Sequence, residues 1–405
     1  MQIADLQIHS KYSRATSKNM VLDELTKYAK IKGLDILGTG DFTHPLWLKE
    51  LKQKLLAESD GVYVYDDINF ILSGEISLIY TQGGRQRRIH HIILAPNFAV
   101  VDQINEWLDK KGRRDYDGRP IFGFSSIELV ESMMSISKDI EIIPAHAWTS
   151  WYGIFGSMSG FDSLEECFQE KTKYIHSIET GMSSDPAMNW RISALDKITL
   201  TSNSDAHSPY PWRLGREANV FDLKEVNYEN IIDAFRTRKN FAYTIEVNPG
   251  YGKYHFDGHR NCNFSCSPDE SKKLNNICPR CGKKLTIGVL NRVEELADRE
   301  EGFVPQKAVP FKTLIPLSEL IAATAGQDVF TKKVWEIYNR LIDRFGNEFN
   351  ILLNIDKNDL IKTVDEKLAE LIIKNRENRL RIMPGYDGVY GKIILQEEEG
   401  LRRFL

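Results

Sequence analysis

Lys197-Ile-Thr-Leu-Thr-Ser-Asn-Ser-Asp-Ala-His207 runs from a short β-branched segment straight into Asp205 and His207. Segments rich in Ile and Thr read as strands, so both ionisable groups fall at a strand's C-terminal end. The pattern recurs outward along the chain. Tyr174–Thr180 ends on Glu179, Ile140–Trp148 on His146, Leu34–Asp41 on Asp41 and Met1–His9 on His9. Ile68–Tyr80, carrying Glu75, and Arg88–Pro96, carrying His90 and His91, read as an adjacent pair with a turn at Gln82–Gly84. Val21–Lys32 has helical spacing and meets a C-cap at Gly33. Strand alternating with helix predicts a parallel sheet or a (β/α) barrel, in which strand ends meet on one face and build the active site. One such histidine would be an ordinary core residue. An unbroken series of ionisable strand ends predicts a site.

The chain has 405 residues, too many for one ordinary core, so two or three domains are expected. Its composition, 42% hydrophobic and 27% charged, is that of a globular protein. No apolar run is long enough to span a membrane. The start, MQIADLQIHSKYS, lacks the features of a signal peptide and reads as a strand, so the fold is expected to begin at residue 1 and the protein to be cytoplasmic. A net charge of −4 argues mildly against a nucleic-acid partner. Local basic clusters count for more: Arg85, Arg87 and Arg88; Lys110–Arg114; Arg236–Lys239; Lys374–Arg381.

The character of the chain changes after residue 245. Gly, Asn, Cys, Asp and Pro become frequent, and Cys262-x-x-x-Cys266 is followed by Cys278-Pro-Arg-Cys281-Gly282. Two close pairs fit tetrahedral zinc bound by four thiolates, a closed and therefore structural site. His255 and His259 precede the cluster and could ligate if Cys262 did not; Cys167 stands alone. Beyond it, Thr331–Phe345 and Lys357–Arg376 carry apolar residues at helical spacing. The expected division is 1–245, 246–290 and 291–405, the last mainly helical.

The strand-end motifs, taken in order, resemble those of the PHP (polymerase and histidinol phosphatase) family. They are Asp5-Leu-Gln-Ile-His9, Gly40-Asp41-Phe42 with His44 behind it, Ser73-Gly-Glu75, His91-Ile-Ile-Leu-Ala95, Ala145-His146 and Ser204-Asp-Ala-His207. The resemblance implies a distorted (β/α) barrel and a multi-metal phosphoesterase. Its ligands would be His9, Asp41, Glu75, His91, His146, Asp205 and His207, with Gln7 and Glu179 as further positions. Asp205, Glu75 and His207 would carry the chemistry. Two or three divalent ions (Zn, Mn or Mg) would activate water and neutralise developing charge. Of the neighbours His90 and His91, period-two alternation lets only one face the site, and the resemblance favours His91. Gln7 and Phe42 stand where the family usually has histidine. An amide oxygen is a poorer donor than imidazole, and phenylalanine cannot ligate.

A barrel, a four-cysteine module and a helical C-terminal region in that order resemble the endonuclease Q family. His9–Lys18, Thr39–Pro45, Ser204–Pro209, Leu214–Glu217 and Pro384–Gly391 carry the likeness. It implies hydrolysis of DNA on the 5′ side of a deaminated base (uracil, hypoxanthine, xanthine) or an abasic site. Damaged DNA would be the partner; replication or repair proteins such as a sliding clamp are left open. Arg14, Lys18, Arg85, Arg88, Arg213 and Arg216 are the expected phosphate contacts. Tyr386 and Tyr390, between glycines, would fill the gap left by an extruded base. A small-molecule PHP phosphatase explains residues 1–245 alone. A non-catalytic DNA-binding protein with a degenerate metal site is the other alternative.

Overall fold

The computed structural model describes residues 1–395; the last ten residues of the expected helical domain lie outside the described residues. Gln2–Asp5 pairs in parallel with Ile36–Gly38, which pairs in parallel with the long strand Ile68–Gln82. That strand turns back antiparallel as Arg85–Ala95, with Gln82 opposite Arg85. Gly83 and Gly84 both take positive φ, 62° and 74°, which a two-residue hairpin turn with native twist demands. Glu141–Pro144 pairs with Arg85–Ala95, and Ser177–Glu179 with Thr199–Thr201. Asn219, on the strand Ala218–Phe221, accepts from the Ser202 amide and donates to its carbonyl, beside the end of Thr199–Thr201. Ala218–Phe221 returns antiparallel to Gln2–Asp5. The result is the expected distorted barrel, with parallel pairs at its start and the turn-linked pair Ile68–Gln82 and Arg85–Ala95 antiparallel.

The main sheet does not stop at residue 245. Phe241–Glu246 pairs in parallel with Phe311–Thr313. One buried cluster runs from Trp47, Phe70 and Trp148 to Leu317, Tyr338 and Ile351. The C-terminal helices therefore share a core with the barrel across the expected boundaries. The expected helix Lys357–Arg376 is two, Lys357–Leu360 and Glu366–Arg376, because the Asp365 side chain caps the second by accepting from Leu368 N. No helix among the described residues is long and apolar enough to cross a membrane.

A buried ion pair locks the two parts together. Lys32 Nζ donates to Glu348 Oε1 at 2.7 Å and to Pro211 O at 2.8 Å. Glu348 also accepts from Tyr338 OH (2.7 Å) and Leu317 N (3.0 Å). Removing one partner strands the other charge, so Lys32→Met is expected to cost about 3–5 kcal/mol in urea unfolding. The double change Lys32→Met, Glu348→Leu should recover most of it. A single-variant loss no greater than that of the double would show that the pair is not a lock.

Candidate active site

Strand ends bring two groups of donors together at the barrel mouth. His9, Asp205 and His207 form one, and Glu75, His90 and His146 the other; within each group the donor atoms lie within 4.8 Å of one another. Glu75 joins them: Oε2 lies 3.0 Å from His9 Nε2, and Oε1 lies 2.6 Å from His90 Nδ1 and 3.5 Å from His146 Nε2. His9 Nε2 is also 3.1 Å from Asp205 Oδ1. Imidazoles and carboxylates in this mixture suit zinc or manganese better than magnesium. The buried Gln7 Oε1, an acceptor with no hydrogen-bond donor, fits a neighbouring cation as well.

His91 does not belong to the site. Glu75 and Ser77 face the same side of their strand, and Ser77 is opposite His90 while Ile76 is opposite His91. His91 therefore shares its face with the core residues Ile76, Leu78, Ile89 and Ile93. Its Nε2 lies 2.8 Å from Ser126 Oγ, and burial drives its pKa down to about 3. The alternation rule was sound, but the histidine it selects is His90. Loss of metal from His90→Ala, with retention by a less stable His91→Ala, is the expected result of elemental analysis. The second change should cost about 0.5–3 kcal/mol, as is usual for a core substitution. Equal metal loss in both would overturn the assignment.

Asp41 lies behind His9 and not among the converging donors. Its Oδ1 is 3.0 Å from His9 Nδ1. Its Oδ2 accepts from Ser10 N (2.6 Å), Ser10 Oγ (2.7 Å) and Ser13 Oγ (2.9 Å). A carboxylate so occupied orients the imidazole and keeps Nε2 aimed inward. Gly118 makes room for it: a Cβ there would sit 2.2 Å from Asp41 Oδ2.

Glu179 is likewise a support. It accepts from His146 N at 2.6 Å and Asn203 Nδ2 at 2.9 Å, and burial pushes its pKa up to about 8. Gln7, as assigned, donates Nε2 to Glu75 Oε2 at 3.0 Å. Asp5 accepts from Ser204 N (3.0 Å) and Gly215 N (2.9 Å), which holds the last motif in place. Phe42 is wholly buried, its ring close under Gly74. Asp41, His146 and Asp205 all have positive φ (47°, 31° and 48°), a conformation that costs some strain and is held by the surrounding hydrogen bonds.

A residue the motifs do not reveal completes the centre. Arg119 Nη1 stands 3.5 Å from Glu75 Oε1. It belongs to the loop Arg113–Pro120, whose Gly118 packs on Asp41. The Asp117-Gly118 turn signal is the sequence feature that could have pointed to this loop.

The cleft over the donors encloses about 230 Å³ and is lined by His90, His146, Trp151 and Arg216 among others. Arg216 and Met182 also line a second cavity of about 540 Å³, with Arg213, Trp212 and Tyr390. Arg216 Nε donates to Ser204 O at 2.9 Å. Arg88 lies 5.9 Å from the Trp151 ring, at the cleft's edge. Arg14 is exposed, with Nε 3.6 Å from Asp117 Oδ2. Lys18 is exposed on the loop after His9, and Arg85 is exposed at the hairpin tip. Arg87 is buried, stacked on Phe161 at 3.9 Å. Of the two tyrosines, Tyr390 lines the second cavity. Tyr386 instead ties the loop down: its hydroxyl donates to Asn263 Oδ1 at 2.8 Å, and its ring takes the space a Cβ on Gly258 would need.

In the small module, His259, Cys262, Cys278 and Cys281 converge within 4.8 Å, and Cys266 is not part of the group. Asp257–His259 pairs with Phe264–Cys266, with His259 opposite Phe264 and Cys266 opposite Asp257. Cys266 thus lies two residues along the ladder from His259, about 7 Å. Burial pushes the Cys266 thiol up to about 11. Three thiols and one imidazole are a donor set of structural zinc.

Residues 316–379 match the family described as the MJ0043 C-terminal domain. The uncharacterized protein MJ0043 of Methanocaldococcus jannaschii is 35% identical over 294 residues, 71% of this chain. The chain spans 35% of that relative's length. The lesion-specific endonuclease PfuEndoQ from Pyrococcus furiosus superposes with a TM-score of 0.88 at 32% identity, covering 100% of this chain and 99% of that one. Endonuclease Q in complex with a 27-mer duplex substrate, with an abasic lesion at the active site, gives a TM-score of 0.88 at 33% identity, covering 98% and 97%.

Proposed function

The chain belongs to the endonuclease Q family, and we propose that it is a DNA repair endonuclease cutting the phosphodiester 5′ to a deaminated base or an abasic site. The observation that carries this is the pairing of the donor centre with the cavity beside it. The cleft lined by His90, His146 and Asp205 meets, at Arg216 and Met182, a space of about 540 Å³ bordered by aromatic rings and guanidinium groups. That space accommodates a base withdrawn from the stack, and a mispaired or missing base is the least costly to withdraw.

Divalent cations bound at such a centre supply an activated water and neutralise charge at the phosphate. His9, Asp205 and His207 would hold one, and Glu75, His90 and His146 the other, with Glu75 between them. Asp41 fixes the His9 ring; Glu179 fixes the His146 backbone. Arg119, beside Glu75, is placed to meet a non-bridging phosphate oxygen, and its planar fork suits that role. Arg213, Arg216, Arg88 and Arg14 would hold the strand on either side. His259, Cys262, Cys278 and Cys281 would hold a structural zinc.

The test is nicking of labelled duplexes bearing one uracil, hypoxanthine or abasic site, with zinc or manganese supplied. A nick 5′ to the lesion and none in undamaged duplex is the expected result. Hydrolysis of small phosphate monoesters without any nick would favour the phosphatase alternative. Zinc in the cysteine module alone, with lesion binding but no hydrolysis, would favour a non-catalytic binder.

A further inference from the structure

We infer that an aromatic slot on the seam between the barrel and the C-terminal helices binds a second nucleobase, next to the one beside the catalytic cleft; this rests on the DNA reading above. The slot encloses about 350 Å³ and is lined by Tyr28, Tyr210, Trp212, Phe330 and Trp335. Every lining residue is aromatic. Tyr210 and Trp212 stack with centroids 4.7 Å apart at 13°. Phe330 meets Trp212 edge-on at 5.2 Å, and Trp335 meets it at 5.2 Å from another side.

Phe330 is 65% exposed, a large apolar ring facing water. It is held there by a built turn: Asp328 Oδ1 accepts from Phe330 N, and Asp328 O from Thr331 N, both at 3.0 Å. A ring meant only to seal the seam would be buried. Trp212 and Phe330 also line the 540 Å³ cavity, so one aromatic wall separates the two spaces. The slot is thus continuous with the proposed DNA surface.

The rim suits a nucleotide. Lys27 Nζ lies 5.0 Å from the Tyr28 ring, and Lys332, two residues after Phe330, is 91% exposed. Their partners Glu24 and Glu336 are 3.8 and 3.6 Å away, exposed pairs that a phosphate can displace at little cost. Asn19 Nδ2 donates to Tyr210 OH at 3.3 Å and adds a polar edge. Bases of any kind stack on such rings, because every base has a π face. The occupant is the base adjoining the lesion on the same strand, unstacked when the lesion leaves the helix.

The experiment uses the full chain with a duplex that carries an abasic analogue, a methylphosphonate at the scissile position so that nothing is cut, and 2-aminopurine beside the lesion. The native protein is expected to change the 2-aminopurine fluorescence on binding, and Phe330→Ala is not. Kd for the lesion duplex should rise about tenfold in Phe330→Ala and Tyr210→Ala, within the range of one base–aromatic stack. Phe330→Trp should restore both, and hydrolysis of bis(p-nitrophenyl) phosphate should be unchanged in Tyr210→Ala, whose ring lines the slot and not the larger cavity. Native-like Kd and fluorescence in both alanine variants would overturn the slot alone, and would leave it to an apolar peptide. A native protein that does not distinguish lesion from undamaged duplex would overturn the DNA reading and the slot with it.

Discussion

Asp205→Ala is expected to abolish nicking while leaving lesion binding within a few-fold of native. Asp205 supplies the only carboxylate of the His9–Asp205–His207 group, with Oδ1 3.1 Å from His9 Nε2. Burial opposes its ionisation, but the hydrogen bond to His9 and the charge of His207 hold the carboxyl below its usual range. Its loss removes both a donor and the negative charge that would keep a cation in place. The expected fall is at least about 10³-fold, beyond the 10–100-fold usual for an outer-shell partner. Asp41→Asn is the internal standard. Asp41 only orients His9, so its loss should stay within about 10–100-fold. The proposed DNA contacts, Arg213, Arg216 and Tyr390, are other residues, so a gel shift should be nearly unchanged. Normal turnover by Asp205→Ala would sink the assignment of the centre. Equal losses in both variants would erase the distinction between donor and support.

The other large effect is expected at the small module. Cys278→Ser should lose one zinc per chain and disorder the module, whereas Cys266→Ser should keep the zinc. Structural zinc contributes roughly 10–16 kcal/mol in zinc-finger peptides, which is folding energy for so small a unit. The hairpin Asp257–Cys266 has three pairs of residues, and among the described residues the buried cluster there is Cys266, Cys278 and Leu285, with Cys262, Phe264 and Leu274 packed against it. So small an apolar cluster leaves the module dependent on its metal. The damage should spread to DNA binding, because the module anchors the loop that carries Tyr390. Asp387 Oδ2 accepts from Arg260 N at 2.7 Å, Asp387 Oδ1 from Thr286 Oγ1 at 2.7 Å, and Tyr386 OH donates to Asn263. Elemental analysis and gel-shift affinity on the two variants check this. Zinc lost equally from both would restore Cys266 as a ligand. Zinc kept in Cys278→Ser would remove the site.

Sequence alone determined which strand ends carry ionisable groups. Ionisable groups on short β-branched segments are a local pattern, and so is the glycine pair that closes the long hairpin. His9, Glu75, His146, Asp205 and His207 are all legible because each ends or interrupts a strand that the sequence delimits. The close Cys278–Cys281 pair is legible for the same reason, since a knuckle is a local turn. Tertiary structure decided what depends on which face or which neighbour. His90 enters the site and His91 the core because strand register, set by pairing with Ile68–Gln82, places only one of them opposite Ser77. Asp41 and Glu179 lie outside the converging donor groups because backbone and side-chain donors of neighbouring residues occupy their carboxylates. His259, and not Cys266, converges with Cys262, Cys278 and Cys281, because Cys266 stands two residues along the ladder from it. Arg119 reaches Glu75 from a loop 44 positions away, and the shared core joins residues the sequence assigned to separate domains. Local spacing encodes the ends of elements, but only packing brings distant loops and opposite faces to one place.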